Sequence, residues 1–384
     1  MKTIVFVYEN IVMGGIYSLI ENFSLQLNGI TTIVYYKNID KKIKEKISDK
    51  NIILIKYNTS KDILNNNYNT YIFFEIDEFL SCLHKCKDKS KGLFLYVVHP
   101  NLFSDYEGSV PLYKKMIFSS LKNCVKQYIY SGRVFFMDYE CLESTLKYYN
   151  FCIEEEKKKQ CIVHLISNPV SVPIKAFNKQ RFDILSVSRA DFPFKGYLIG
   201  LIDEYNKIRS KYDNVCLTVV STGPNIVELK KKIDESKFDI NLIQGLSRDE
   251  LSAYYNKCDL YVGMGMTIIE ASSRGKISLP VKTYTYKCLT NGFFYNNPEW
   301  VTADIGMPIC ISRFVEELLN DNIEALYNKQ IKTIKAINDN YSANTVVKEL
   351  YEKFNSLNTN NCVFPFVAFY LKIIRNIIKR REIR

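Results

Sequence analysis

The chain is 384 residues long and 47% hydrophobic, with 52 Lys and Arg against 41 Asp and Glu, a formal net charge of +11. That length favours two domains, and the composition is that of a globular protein with ample core. There is no run of about eighteen uncharged apolar residues to span a membrane. The eleven cysteines include no C-x-x-C pair, which argues against zinc and for free thiols in a reducing, cytoplasmic compartment.

The first residues, MKTIVFVYEN, meet an acid at once and read as a strand rather than a signal peptide. Strand Thr3–Tyr8 leads through a loop holding Gly14 and Gly15 into a helix with one apolar face, Ile16, Leu19, Ile20, Phe23 and Leu27. Further apolar strands are expected at Thr31–Tyr36, Ile52–Tyr57, Tyr71–Glu75, Gly92–His99, Gln127–Ser131 and Cys161–Ile166. Near-continuous apolar strands alternating with helices argue for a parallel sheet covered on both faces.

Ser167–Pro173 carries two prolines among polar residues and is the expected domain boundary. A second alternating series follows. Its strands are Asp183–Val187, Val215–Val220, Ile240–Ile243 and Leu260–Val262; its helices are Tyr197–Ser210, Ile226–Ser236, Ser247–Asn256 and Thr267–Gly275. Ser247 and Glu250 have capping-box spacing. The pattern loosens after Lys276–Val281, and helices return from Ile311 to Phe354. The domains expected are therefore 1–168, 169–345 and a helical segment 346–384. Two α/β halves facing across a cleft bind ligands at the carboxyl ends of their strands.

Chemistry concentrates between Phe182 and Gly275. Arg189 and Lys195-Gly196 flank a strand-to-helix loop, where two cations and helix-end amides make an anion site. The alternative is a solvated loop with incidental charge. Gly223 follows the next strand, and Gly263-Met264-Gly265-Met266 lets backbone approach a ligand. Glu270 follows on a helix, where a carboxylate can accept from both ribose hydroxyls or can stabilise its own helix N-terminus. His99 ends an apolar strand and is either a partner for a sugar hydroxyl or a structural imidazole. Gly14-Gly15 presents amides or makes a tight turn; the spacing is not that of a nicotinamide site. No Asp-x-Asp stands near a strand end, Glu75-Ile76-Asp77 reading as a turn, so no catalytic metal is expected.

The basic balance points to acidic partners. Lysine runs such as 157–159 also read as solvated helix faces. The segment 364–384, FPFVAFYLKIIRNIIKRREIR, would as a helix carry Leu371, Ile374, Ile377 and Ile378 on one side and Lys372, Arg375, Lys379 and Arg380 around the other. It suits an anionic membrane surface, or else docks on its own protein. No aromatic-interleaved basic stripe supports nucleic-acid binding.

These residues resemble the retaining GT-B glycosyltransferases of family four. The resemblance is clearest in SVSRADFPFKGYLIGLI, LTVVSTGP and LSRDELSAYYNKCDLYVGMGMTIIEASSRGK, and looser in MGGIYSLIENFSLQL and VVHPN. It implies an α/β GT-B fold of two Rossmann-like, doubly wound parallel-sheet domains. By position it assigns Arg189 and Lys195 to the donor diphosphate, Glu270 to the ribose as the second glutamate of an E-x7-E motif, His99 to the transferring sugar, and Gly15 to the diphosphate loop. Eight residues before Glu270 stands Val262 instead of the motif's first glutamate. The implied function is transfer of a sugar from a nucleoside diphosphate sugar to a glycan or lipid-linked acceptor, with retention, in surface polysaccharide biosynthesis at the inner membrane face. The alternative is a nucleotide-sugar binding protein that has lost catalysis.

Overall fold

The computed structural model describes residues 3–11, 15–26, 29–47, 52–66, 68–86, 91–108, 114–167, 177, 180–246, 248–304, 306–355, 364–366, 369–370 and 373. The chain forms two compact units. One comprises Met1–Ile166 with Ala343–Arg384, and the other Ser167–Ser342.

The first unit is built on β1 (Thr3–Val7), β2 (Thr31–Tyr36), β3 (Ile52–Lys56), β4 (Thr70–Phe73), β5 (Gly92–Val97) and β6 (Val134–Phe136). All pair in parallel, in the order β3-β2-β1-β4-β5-β6. The central strands are buried on both faces: Ile4, Val5, Phe6 and Val7 are all fully buried, as is the whole of β5. Phe79 of helix Ile76–Lys85 shows the packing, meeting Phe73 and Tyr128 edge-on at 5.9 and 5.7 Å. Such pairs add about 0.5–1.5 kcal/mol beyond area burial. Helix Ala343–Asn355 joins this unit through Glu349, which accepts from the His164 backbone amide and contacts its Nδ1, each at 2.7 Å.

The second unit carries β7 (Phe182–Arg189), β8 (Val215–Thr222), β9 (Ile240–Ile243), β10 (Leu260–Gly263) and β11 (Ile277–Pro280), parallel in the order β9-β8-β7-β10-β11. In both sheets the order runs 3-2-1-4-5 from the unit's first strand, so direction reverses between first and fourth strands. The crevice outside the carboxyl ends at that reversal is where such sheets bind ligands.

Two expected strands are corrected. Gln127–Ser131 is no strand: helix Lys114–Tyr130 runs through it, burying Ile117, Leu121, Val125 and Ile129 at helical spacing. The strand is the following Val134–Phe136. Cys161–Ile166 forms only an isolated parallel bridge, Phe136 to Ile162. Helix Glu155–Cys161 uses up the start of that segment. Leu27 and Ser247, and with Ser247 the capping box, lie outside the described residues.

Candidate functional site

Strand β7 has β8 on one side and β10 on the other, so three carboxyl ends lie side by side. Arg189 is the last residue of β7, in register with Thr222, and its side chain is exposed. Beyond it the β7 and β8 loops are tied together. The Ala190 amide donates to the Thr222 carbonyl at 2.6 Å, and the Asn225 amide to the Ala190 carbonyl at 3.0 Å. The Phe192 amide donates to Asn225 Oδ1 at 2.9 Å. Gly223 is required here. Its φ is +120°, and a Cβ would lie 2.7 Å from the Ala190 carbonyl oxygen.

The same loop places Lys195. Its amide donates to the Asp191 carbonyl at 2.8 Å, just before helix Tyr197–Arg209. The Tyr284 amide braces the loop from outside, donating to the Phe194 carbonyl at 3.0 Å. The Phe194 ring lies 5.1 Å from the Tyr284 ring and 5.9 Å from Lys195 Nζ. Burial, and then the neighbouring Arg189 guanidinium, push the Lys195 ammonium down to about 8, with Asp191 opposing. Among the described residues neither cation has a carboxylate within salt-bridge distance. The Arg189 charge is felt at Lys195, and among the described residues no carboxylate pairs with either, an arrangement that suits an anion.

At the end of β10, only Met264 and Gly265 separate the strand from helix Met266–Ser272. A Cβ on Gly263 would meet the Tyr261 hydroxyl, which itself donates to the Val187 carbonyl at 3.1 Å and so ties β10 to β7. Gly265 takes φ +65°, and its amide donates to the Val301 carbonyl at 2.9 Å. That amide is therefore engaged within the protein. The Met264 carbonyl accepts from Thr267 Oγ1 at 2.9 Å, and Met264 and Met266 are both half-buried. Val262 is fully buried in the second core, in register with Leu279. The position eight before Glu270 thus faces the core.

Glu270 is the fifth residue of its helix, past the first turn, so the helix-terminus alternative does not describe it. Its Oε2 accepts from the buried Tyr255 hydroxyl at 3.2 Å. Arg274 lies over the Tyr255 ring at 5.1 Å and donates to the Glu270 carbonyl at 2.7 Å. The carboxylate is therefore oriented from behind. Neither this Tyr255 support nor the Tyr284 brace has a sequence signal, because both partners arrive through tertiary packing.

The remaining candidates belong to the first unit. Gly15 opens helix Gly15–Gln26, and Gly14 lies outside the described residues. His99 is half-buried, two residues beyond β5. The Asn101 amide donates to its Nδ1 at 3.2 Å, which leaves the proton of the neutral ring on Nε2. Burial pulls His99 below the ordinary range, with Asp105 at 4.0 Å opposing, so the ring is neutral at pH 7.

No protein-family model and no curated protein matches the chain. Solved structures do. A glycosyltransferase from Rickettsia africae ESF-5 aligns over 94% of this chain and 99% of its own, with TM-score 0.60 and 14% identity. Anabaena Alr3699/HepE, crystallised with UDP and glucose, aligns over 93% and 100%, with TM-score 0.60 and 12% identity. A point mutant of S. aureus TarM, in complex with Fondaparinux, alpha-GlcNAc-glycerol and UDP, aligns over 92% and 100%, with TM-score 0.61 and 11% identity. The fold is GT-B. At such identities the likeness concerns architecture alone, and the N-terminal domain of a Candida albicans trehalose-6-phosphate phosphatase shares it at TM-score 0.61 and 10% identity. Within this GT-B chain, Arg189, Lys195, Gly223, Gly263–Met266 and Glu270 stand on one rim of the second sheet.

Proposed function

We propose that the chain is a retaining glycosyltransferase. It moves a sugar from a nucleoside diphosphate sugar to a hydroxyl of a glycan or lipid-linked acceptor. The observation that carries this reading is the Arg189–Lys195 couple at the sheet's reversal point, without a carboxylate partner among the described residues and charged for a diphosphate. Glu270, steadied by Tyr255, accepts from the ribose hydroxyls. His99, with its Nε2 proton, donates to the transferring sugar. The resemblance assigns Gly15 to the diphosphate loop. No metal is required there, since the two cations meet the leaving charge. A donor phosphate oxygen takes the acceptor proton on the face the sugar leaves, so no strong protein base is needed. The location proposed is cytoplasmic, peripheral on the inner membrane face, serving surface polysaccharide synthesis.

The test is donor binding and consumption by Arg189→Ala and Lys195→Ala. Each loses a charge-assisted contact of about 1.5–3 kcal/mol, or roughly tenfold to a hundredfold in donor affinity. Unchanged donor turnover in both variants would remove the site. A second reading, a nucleotide-sugar binder without catalysis, is favoured by Val262, because its core position and the two-residue turn after it leave no loop glutamate for the donor sugar. Calorimetry with UDP-glucose, the ligand crystallised with Alr3699/HepE, run beside a donor-consumption assay, separates the two: a binder gives heat without turnover.

A further inference from the structure

The first unit has its own reversal point, between β1 and β4. Three glutamates meet there. Glu9 follows β1, Glu75 follows β4, and Glu78 stands in the first turn of helix Ile76–Lys85. One carboxylate oxygen from each lies within 4.8 Å of the others. Lys37, just past β2, donates to Glu9 Oε1 at 2.7 Å and to Glu78 Oε1 at 2.9 Å. Its reach leaves Glu75 Oε2 and Glu78 Oε2 buried without a hydrogen-bond partner.

Tyr57 supplies an independent observation. It follows β3, is 2% exposed, and its buried hydroxyl has no hydrogen-bond partner. Lys37 Nζ sits 5.3 Å from its ring centroid. The same Lys37 Nζ holds Glu9 and Glu78, so the Tyr57 ring borders the cluster. Buried polar oxygens left unpaired cost about 1–3 kcal/mol each, more when charged. Two of the three belong to the glutamate cluster itself.

We infer that Glu9, Glu75 and Glu78, bordered by Tyr57, bind a hard divalent cation at the carboxyl rim of the first sheet. The ligand set is all oxygen, which suits Mg²⁺, Ca²⁺ or Mn²⁺ rather than softer metals. Metal–oxygen bonds of about 2.0–2.6 Å place ligand oxygens about 3–5 Å apart, the spacing found. The charges also close. Cation binding displaces the carboxyl protons, and three carboxylates with the Lys37 ammonium then carry two negative charges, which one divalent cation cancels. This site is formed by residues of the first unit only.

The experiment uses the full chain, stripped with EDTA and free of nucleotide. Mn²⁺, Mg²⁺ and Ca²⁺ are titrated in separately and followed by calorimetry, thermal melting and, for Mn²⁺, electron paramagnetic resonance. One cation should bind per chain, with a melting temperature that climbs with cation concentration. Glu75→Gln keeps the shape and removes one charge; it should bind at least about tenfold more weakly. Should that variant fail to fold, Glu9→Gln, at the half-exposed edge, carries the same expectation. Arg189→Ala should bind the cation as the wild type does. Wild-type protein that gives neither heat nor a melting shift at millimolar cation has a proton shared between Glu75 and Glu78 instead, and the inference is overturned. Wild-type affinity in the glutamine variants overturns it equally.

Discussion

Raising the pH from 7 to 9.5 should discharge Lys195 and release the donor while the fold holds. The ammonium sits near 8 against an ordinary 10.5 because it is buried beside Arg189. The free enzyme is then about nine tenths charged at pH 7, half at pH 8 and a tenth at pH 9. kcat/KM for the donor reports the free enzyme, so it should be level to pH 7 and fall about tenfold per unit above pH 8. A bound diphosphate favours the ammonium, so kcat turns down at higher pH than kcat/KM does. Stability moves the other way. The folded value lies below the unfolded one, so between about pH 8 and 10.5 the unfolded chain holds the extra proton, and this group's contribution to stability rises with pH. Below pH 8 it is a constant cost. Initial rates of donor consumption at fixed ionic strength, with thermal melts at each pH, measure both. Lys195→Arg keeps its charge throughout and should flatten the basic limb. A level wild-type kcat/KM to pH 9.5, or the same fall in Lys195→Arg, would refute the argument.

Tyr255→Phe removes the donor to Glu270 but keeps the ring under Arg274. It should cost about 0.5–1.5 kcal/mol in a melt and raise donor KM several-fold more than it lowers kcat. In Gly200→Ala the new methyl would lie 2.6 Å from the Tyr286 carbonyl oxygen and press on the Cys288 amide. About 1–3 kcal/mol should be lost in chemical denaturation, because backbone on both sides must shift. Phe369 is buried in the first core, and with Phe364 it packs on His84 at 5.4 and 4.9 Å. Phe369→Ala should cost about 3–5 kcal/mol by the same measurement. Deleting residues from Phe364 onward should abolish binding to anionic vesicles in a sedimentation assay; unchanged binding would remove the membrane proposal.

The strands most legible in the sequence were those buried on both faces, such as Ile4–Val7, where no charge interrupts the run. Gln127–Ser131 misled because its central Tyr128-Ile129-Tyr130 looks alike as strand or as the end of a buried helix. The longer spacing of Ile117, Leu121, Val125 and Ile129 decides it. Arg189, Lys195, Gly223 and Glu270 were legible because strand–loop–helix order alone sends them to one rim. Tyr255 was not, since it reaches Glu270 only once two helices pack. Val262 shows the limit of counting: a shortened turn slides the motif position back into the strand. The Glu9, Glu75 and Glu78 group comes from separate segments, and only the strand order makes β1 and β4 neighbours. In the 364–384 segment, Phe364 and Phe369 dock on their own protein while Phe366, Tyr370 and Ile373 remain exposed. Leu371, Ile374, Ile377, Ile378, Lys372, Arg375, Lys379 and Arg380 lie outside the described residues.

The first unit is made from two distant stretches of chain, with the whole of Ser167–Ser342 between them. The Ser167 amide donates to the Tyr341 carbonyl at 2.9 Å, so the intervening unit leaves and rejoins at one place. On the ribosome, that unit is finished while its host is not. Translation needs roughly 2–8 s more to deliver Ala343–Arg384. Until then the berth for Val346 and Leu350, buried in the finished protein, stays open. The unit whose first stretch precedes Ser167 is therefore the later of the two to close.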